Sequence, residues 1–178
     1  DDTNNYILPK GNINKLTNSV EGNFDGCFCL ANNSTLIGLI EINNNDYLYS
    51  LNIKKINQDL KILKKFNNFA GDLSSNSSVN LLSWIEWDTP YMPWEKNDLF
   101  FAEIDLFGEL KKIKKFSHKN INKNKNVSFF QPHWISEKIL VCSEDSSGWW
   151  NLLFLEVRKI ESIFTVSYTH LRAHETPA

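Results

Sequence analysis

The sequence predicts an all-β fold of the β-propeller type, and three observations carry that prediction. One apolar segment recurs three times, as Asp46–Ile53 (DYLYSLNI), Asn97–Ile104 (NDLFFAEI) and Trp150–Val157 (WNLLFLEV), starting 51 and then 53 residues apart. Each copy follows another run of strand composition, at Thr35–Ile42, Val79–Trp87 and Lys138–Ser143. The first two copies are trailed by a lysine-rich amphipathic run, Asp59–Phe66 (DLKILKKF) and Glu109–Phe116 (ELKKIKKF), 50 residues apart. Four strands returning every ~50 residues form the unit of a propeller blade.

Taken in order, Tyr6–Leu8 and Ile13–Thr17 are expected to be the end of a preceding blade, within residues 1–20. The first complete blade takes residues 24–66, entered by a strand at Gly26–Leu30. The second takes 69–117. The third takes 127–164, is entered at Phe129–Trp134 and is expected to be incomplete. The expectation is therefore about three four-stranded antiparallel sheets in a ring that does not close, with helix nearly absent before Thr165. An open ring leaves apolar faces on the first and last sheets in water, Leu152 and Phe154 or their alternates among them.

Residues Thr165–Thr176, TVSYTHLRAHET, resemble one reading frame of a sequencing-library transposase adapter. Residues 165–178 are thus expected to be non-native and to lie outside the fold. On this view His170 and His174, with Glu175 beside them, are no metal site, and the chain is an internal fragment cut at both ends.

Composition is that of a soluble globular domain. Nineteen basic and 21 acidic side chains nearly balance, and a 42% apolar share is ample for a core. No apolar run approaches the ~18 residues of a membrane span, so no membrane partner is expected. Three cysteines, two of them in Cys27–Phe28–Cys29, lack metal-ligand spacing and are read as packing; no metal and no cofactor are expected, and a reducing cytoplasm fits.

The lysines of the two trailing runs fit the outer strand of a blade, where charge protects unpaired backbone from pairing with other chains. Lys111, Lys112, Lys114, Lys115, Lys119, Lys123 and Lys125 also invite a nucleic-acid reading. That patch lacks arginine and a groove motif, and the chain has no basic overall balance, so no nucleic-acid partner is expected. His118 and the 120–126 stretch read as a solvated loop.

The stretch Leu81–Asp105 concentrates the chemistry. Leu82, Trp84, Glu86 and Asp88 alternate with Leu81, Ser83, Ile85 and Trp87, and Leu99, Phe101 and Glu103 with Phe100, Ala102 and Ile104. Two neighbouring antiparallel strands read this way. Between them Pro90 and Pro93 remove backbone donors and force a loop. Tyr91, Met92 and Trp94 in that loop are costly in water and are expected to be covered, by this chain or by a partner.

Trp84, Trp87–Asp88, Pro90 and Met92–Pro93–Trp94 resemble the WxxWDxPxMPW segment of bacterial serine peptidases of the prolyl oligopeptidase family, of the dipeptidyl aminopeptidase or acylaminoacyl-peptidase kind. A second segment is similar to the same family's QPxWSPDG…SDRxGWWN: Gln131–Pro132–His133–Trp134, then Ser143, Asp145 and Gly148–Trp149–Trp150–Asn151. With Asn68–Asp72 these segments cover roughly the second half of the chain, in order. The resemblance implies a propeller that caps an α/β-hydrolase domain of the same parent chain. It screens peptide substrates by size and lends aromatic or acidic groups to the peptide's N-terminal end.

No catalytic residue is expected here. The GxSxG elbow, which the family carries in its hydrolase domain, is absent from this sequence. His133 reads as a strand-end residue, and Glu86 with Asp88 has no spaced carboxylate partner. The candidate gate or domain-interface residues are Trp87, Asp88, Tyr91, Met92, Trp94, Trp149 and Trp150. Both stretches lie between second and third strands of successive blades, so they should emerge on one face. There they either dock and line a chamber or fill gaps between blades. Two other classes stay open. Ser143, Asp145, Gly148 and Trp150 approximate the Asp-box turn of sialidase-like, glycan-handling propellers, with one residue too many before the glycine. A TolB-like propeller that binds protein without any hydrolase is the other.

Overall fold

The computed structural model describes residues 6–7, 14–31, 34–105, 108–116 and 126–169. His118, Lys119, Lys123, Lys125, His170, His174 and Glu175 lie outside the described residues, as does the side chain of Cys27. The described chain contains no helix, and none is long and apolar enough to cross a membrane.

A two-stranded ladder, β1 (Tyr6–Ile7) with β2 (Asn14–Lys15), precedes three four-stranded antiparallel sheets. The first holds β3 (Asn23–Ala31), β4 (Thr35–Ile42), β5 (Asn45–Asn52) and β6 (Lys61–Lys65). The second holds β7 (Phe69–Ser75), β8 (Leu81–Trp87), β9 (Asp98–Ile104) and β10 (Leu110–Lys115). The third holds β11 (Phe129–Trp134), β12 (Ile139–Glu144), β13 (Asn151–Lys159) and β14 (Ser162–Thr169). In every sheet the strands lie side by side in chain order. This is the predicted all-β architecture, an open ring of propeller blades.

Two boundaries differ from expectation by more than two residues, each for a local reason. Strand β3 begins at Asn23 instead of Gly26, because the ladder skips from Phe24 to Phe28 and a bulge hides the alternation. Strand β14 runs to Thr169, five residues past the expected limit at 164, and pairs Leu152 with Thr169 and Leu155 with Thr165. The third sheet therefore has four strands. Its last strand mixes β-branched and aromatic residues, which suit a pleated surface whatever their origin.

The first-strand bulge recurs. The ladder skips between Gly71 and Ser74 in β7 and between Phe130 and His133 in β11, so Pro132 falls where no ladder donor is needed. Asp72 and Gln131 take positive φ (54° and 51°) at these bulges, and the Asp72 carboxylate accepts the Gln131 N–H at 2.9 Å. The inner strands of the second and third sheets are joined there.

Alternation decides which seam each side chain fills. Leu82 and Trp84 of β8 with Phe100, Ala102 and Ile104 of β9 face the first sheet, meeting Ile37, Leu39, Leu48 and Phe66. Their neighbours Leu81, Ile85, Leu99 and Phe101 face the third sheet, meeting Trp134, Leu140, Leu153, Leu155 and Val157. The far side of the first sheet is closed by Leu16 and Val20 over Ile40, Tyr49 and Leu51. Among the described residues, no sheet packs on the far side of the third sheet. Leu48, Leu99 and Leu152 occupy one repeat position; the first two are fully buried, whereas Leu152 is 38% exposed. Phe164 beside it is 53% exposed and Phe154 half-buried.

The outer-strand lysines do more than guard an edge. Lys61 pairs with Glu109 and Lys64 with Glu86 (3.0 Å), tying the first sheet to the second. Lys112 reaches Glu161 (2.8 Å) in the β13–β14 turn, tying the second to the third. The Lys61 and Lys112 pairs are exposed, so water and salt screen them. The Lys64 pair is largely shielded, and its carboxylate also accepts the Trp84 indole N–H at 2.7 Å.

Candidate functional site

Strand β8 delivers the chain into a loop, residues 88–97, that two prolines keep out of the ladder. The loop is built from its own polar atoms. The Met92 carbonyl accepts the N–H groups of Glu95 (2.9 Å) and Lys96 (3.2 Å), and the Glu95 carboxylate accepts the Met92 N–H (2.8 Å). The Lys96 ammonium sits 4.9 Å from the centre of the Tyr91 ring. The expected cover over the loop tip is not supplied by the described chain: Tyr91, Met92 and Trp94 are 36%, 45% and 56% exposed. Trp87 differs from them. It is half-buried and stacked on Phe69, with ring centres 5.7 Å apart.

The matching turn of the third sheet, residues 145–150, closes with Gly148 donating to the Asp145 carbonyl at 2.8 Å. Gly148 takes φ 90°, a conformation that suits glycine. The Asn151 amide donates to the Ser147 hydroxyl (2.7 Å) and the Trp149 carbonyl (2.8 Å), holding the turn from beneath. Trp149 is 71% exposed, and Trp150 packs edge-on against Phe130 with centres 5.3 Å apart.

The loop and the turn are neighbours, linked through the segment entering β11. The Asn97 N–H donates to the Val127 carbonyl (3.1 Å), and the Asp145 carboxylate accepts the Ser128 N–H (2.8 Å). Asn97 also exchanges side-chain hydrogen bonds with both the N–H and the carbonyl of Phe129, each 2.8 Å. Tyr91, Met92, Trp94, Trp149 and Trp150 thus stand at one end of the second and third sheets.

A cleft of about 270 Å³ opens at the foot of the loop, walled by Trp87, Tyr91 and Phe100, with Glu86, Asp88 and Asp98 at its rim. Glu86 is committed to Lys64 and Trp84, and Asp98 to Lys115 at 2.6 Å. His133 is exposed on β11. Among the described residues, no cluster of three or more His, Cys, Asp or Glu is arranged to hold a metal. Cys29 and Cys142 are buried; burial, with help from Glu144, pushes the Cys142 thiol up to about 12, away from the reactive thiolate form.

Sequence reasoning named Asp145 only as a motif residue and missed Asn97 and Ser128 as loop anchors. A signal for one of them was present, because Asn97 occupies the repeat position of Asp46. The Asp46 carboxylate likewise accepts an N–H of the next sheet's entry strand, from Ala70, the second residue of β7, at 2.8 Å. The third member of that position is Trp150.

No protein-family model matches the chain, and no curated protein matches it. Solved structures do. A puromycin-hydrolyzing peptidase of Mycobacterium tuberculosis is similar over 94% of this chain and 28% of its own, with a TM-score of 0.72 and 16% identity. A puromycin hydrolase is similar over 93% of this chain and 27% of its own, with the same TM-score and identity. Prolyl oligopeptidase B from Galerina marginata is similar over 88% and 22%, with a TM-score of 0.59 and 11% identity. The chain spans about a quarter of the length of the peptidases it matches, and what it shares with them is the propeller fold.

Proposed function

We propose that these residues are the propeller of a serine peptidase of the prolyl oligopeptidase family, non-catalytic in itself, that screens short peptides before cleavage near their N-terminus. The dipeptidyl aminopeptidase or acylaminoacyl-peptidase kind is the one its Trp-rich motifs fit. On this proposal the face bearing Tyr91, Met92, Trp94, Trp149 and Trp150 docks on the hydrolase domain of the parent chain or lines the chamber before it. The observation that carries this is the exposure of these large side chains on two adjacent, internally braced loops. Aromatic rings held in water at one end of a rigid scaffold are the ordinary anchors of an interface. The peptidase neighbours of the same fold support the placement.

The test is made in the full-length parent. Trp94→Ala and Trp150→Ala should each change KM for aminoacyl or acyl-aminoacyl amides, or weaken docking of the two domains, while the propeller melts as before. An anchor ring removed from an interface costs roughly 2–4 kcal/mol. Unchanged kinetics in both variants would reject the proposal. A variant that fails to fold would assign that ring to packing between blades. The 178-residue chain alone should hydrolyse none of these substrates, since neither an activated serine nor an oxyanion hole is supplied by the propeller surface.

A further inference from the structure

Asn97 is 4% exposed and stands where the loop re-enters β9. One side chain makes three contacts across two parts of the molecule. Its Nδ2 donates to the Pro93 carbonyl in the loop and to the Phe129 carbonyl in β11, each at 2.8 Å. Its Oδ1 accepts the Phe129 N–H at 2.8 Å. The backbone N–H of the same residue donates to Val127. A buried primary amide whose donors and acceptor are all engaged has little freedom to turn, and losing any one partner leaves a buried polar group unmet.

We propose that Asn97 is a positioning residue for the aromatic loop. It locks the loop to the third sheet's entry strand, so that Tyr91, Met92 and Trp94 are presented as a rigid surface of the seam and not as a lid that closes. The repeat supports this. At the same position Asp46, which follows the two-residue turn Asn43–Asn44, accepts the Ala70 N–H of the next sheet, and that turn has nothing to present. An amide is needed where the side chain must also donate, and only Asn97 has a long loop to hold. The inference rests on the loop being a presenting surface, but its test reads loop order and not binding, so either can fail alone.

The experiment is ¹⁹F NMR of the full chain labelled with 5-fluorotryptophan, with the Trp94 line assigned by Trp94→Phe. In the unchanged chain the Trp94 line should be as broad as those of Trp84 and Trp134, which sit in the seams. A Trp94 line narrowed by fast local motion would overturn the proposal before any variant is made. In Asn97→Ala the Trp94 line should shift and narrow while the Trp84 line holds. Asn97→Asp, which keeps the acceptor for Phe129 and removes both donated bonds, should do the same. A lower melting temperature with an unmoved Trp94 line in either variant would make Asn97 structural only.

Discussion

Trp84 and Trp94 lie ten residues apart in one motif and live in different worlds. Trp84 is fully buried in the seam between the first and second sheets, edge-on to Phe66, stacked on Phe100, with its indole N–H on Glu86. Trp134 repeats that arrangement in the next seam, 7% exposed, its N–H donating to the Ser83 hydroxyl at 3.0 Å. Trp94 and Trp149 stand more than half exposed on loops. A tryptophan on a strand, on the face that meets a neighbouring sheet, has a seam to fill. One beyond a proline-broken strand has left the sheet, and no described residue of the chain covers it fully.

The sharpest way to break this comparison is to truncate both kinds of ring in the isolated chain. Trp84→Ala should destabilise by ~3–5 kcal/mol, through lost burial and the cavity left behind. Trp94→Ala should stay within about 0.5 kcal/mol, as surface substitutions do. Paired denaturant titrations measure both. Equal losses would mean that the loop is part of the packed core.

A second comparison uses the shared repeat position of Leu99 and Leu152. Leu99→Ala should cost about 2–5 kcal/mol, since the second sheet is covered on that face. Leu152→Ala should cost far less, because Leu152 is 38% exposed and no described sheet packs on that face, and Leu152→Lys should reduce binding of a hydrophobic dye. If both leucines cost the same, the third sheet's outer face is covered in solution by something this chain supplies.

The smallest effect sharpens the contrast between Asp46 and Asn97. Burial raises the Asp46 carboxyl above its ordinary value, opposed by the Ala70 N–H and reinforced by Glu41 and Asp25. A carboxyl raised on folding favours the folded state while protonated. That benefit is full below its unfolded value and is lost as pH rises through the folded one. At neutral pH the charged group is therefore a cost. Asp46→Asn, which keeps an acceptor for Ala70, should raise the melting temperature slightly at neutral pH, and the gain should shrink on acidification. A gain that persists or grows in acid would show that the carboxylate itself is favourable there.

Much of the fold was legible because strand alternation and the recurring segment are local properties. Strand β4 begins and ends where its composition does, and β11 likewise. The bulges were not legible, since a skipped pair looks in sequence like broken alternation. The outer lysines were read as solvated, whereas Lys61, Lys64 and Lys112 find carboxylates 22 to 49 positions away, on the next sheet. The candidate loop was located from its prolines and aromatic residues, but its braces were not, because Asn97 reaches Phe129 across 32 residues.

By itself, then, the sequence determined that the chain forms strands in fours and that its apolar side chains divide between two faces. Periodicity of two and a repeat length leave little else for such residues to do. Tertiary structure decided which face meets which neighbour, and so which tryptophans are core and which are surface. The six tryptophans are chemically alike. What separates them is whether another sheet arrives to cover them, a contact between residues far apart in sequence that no local pattern encodes.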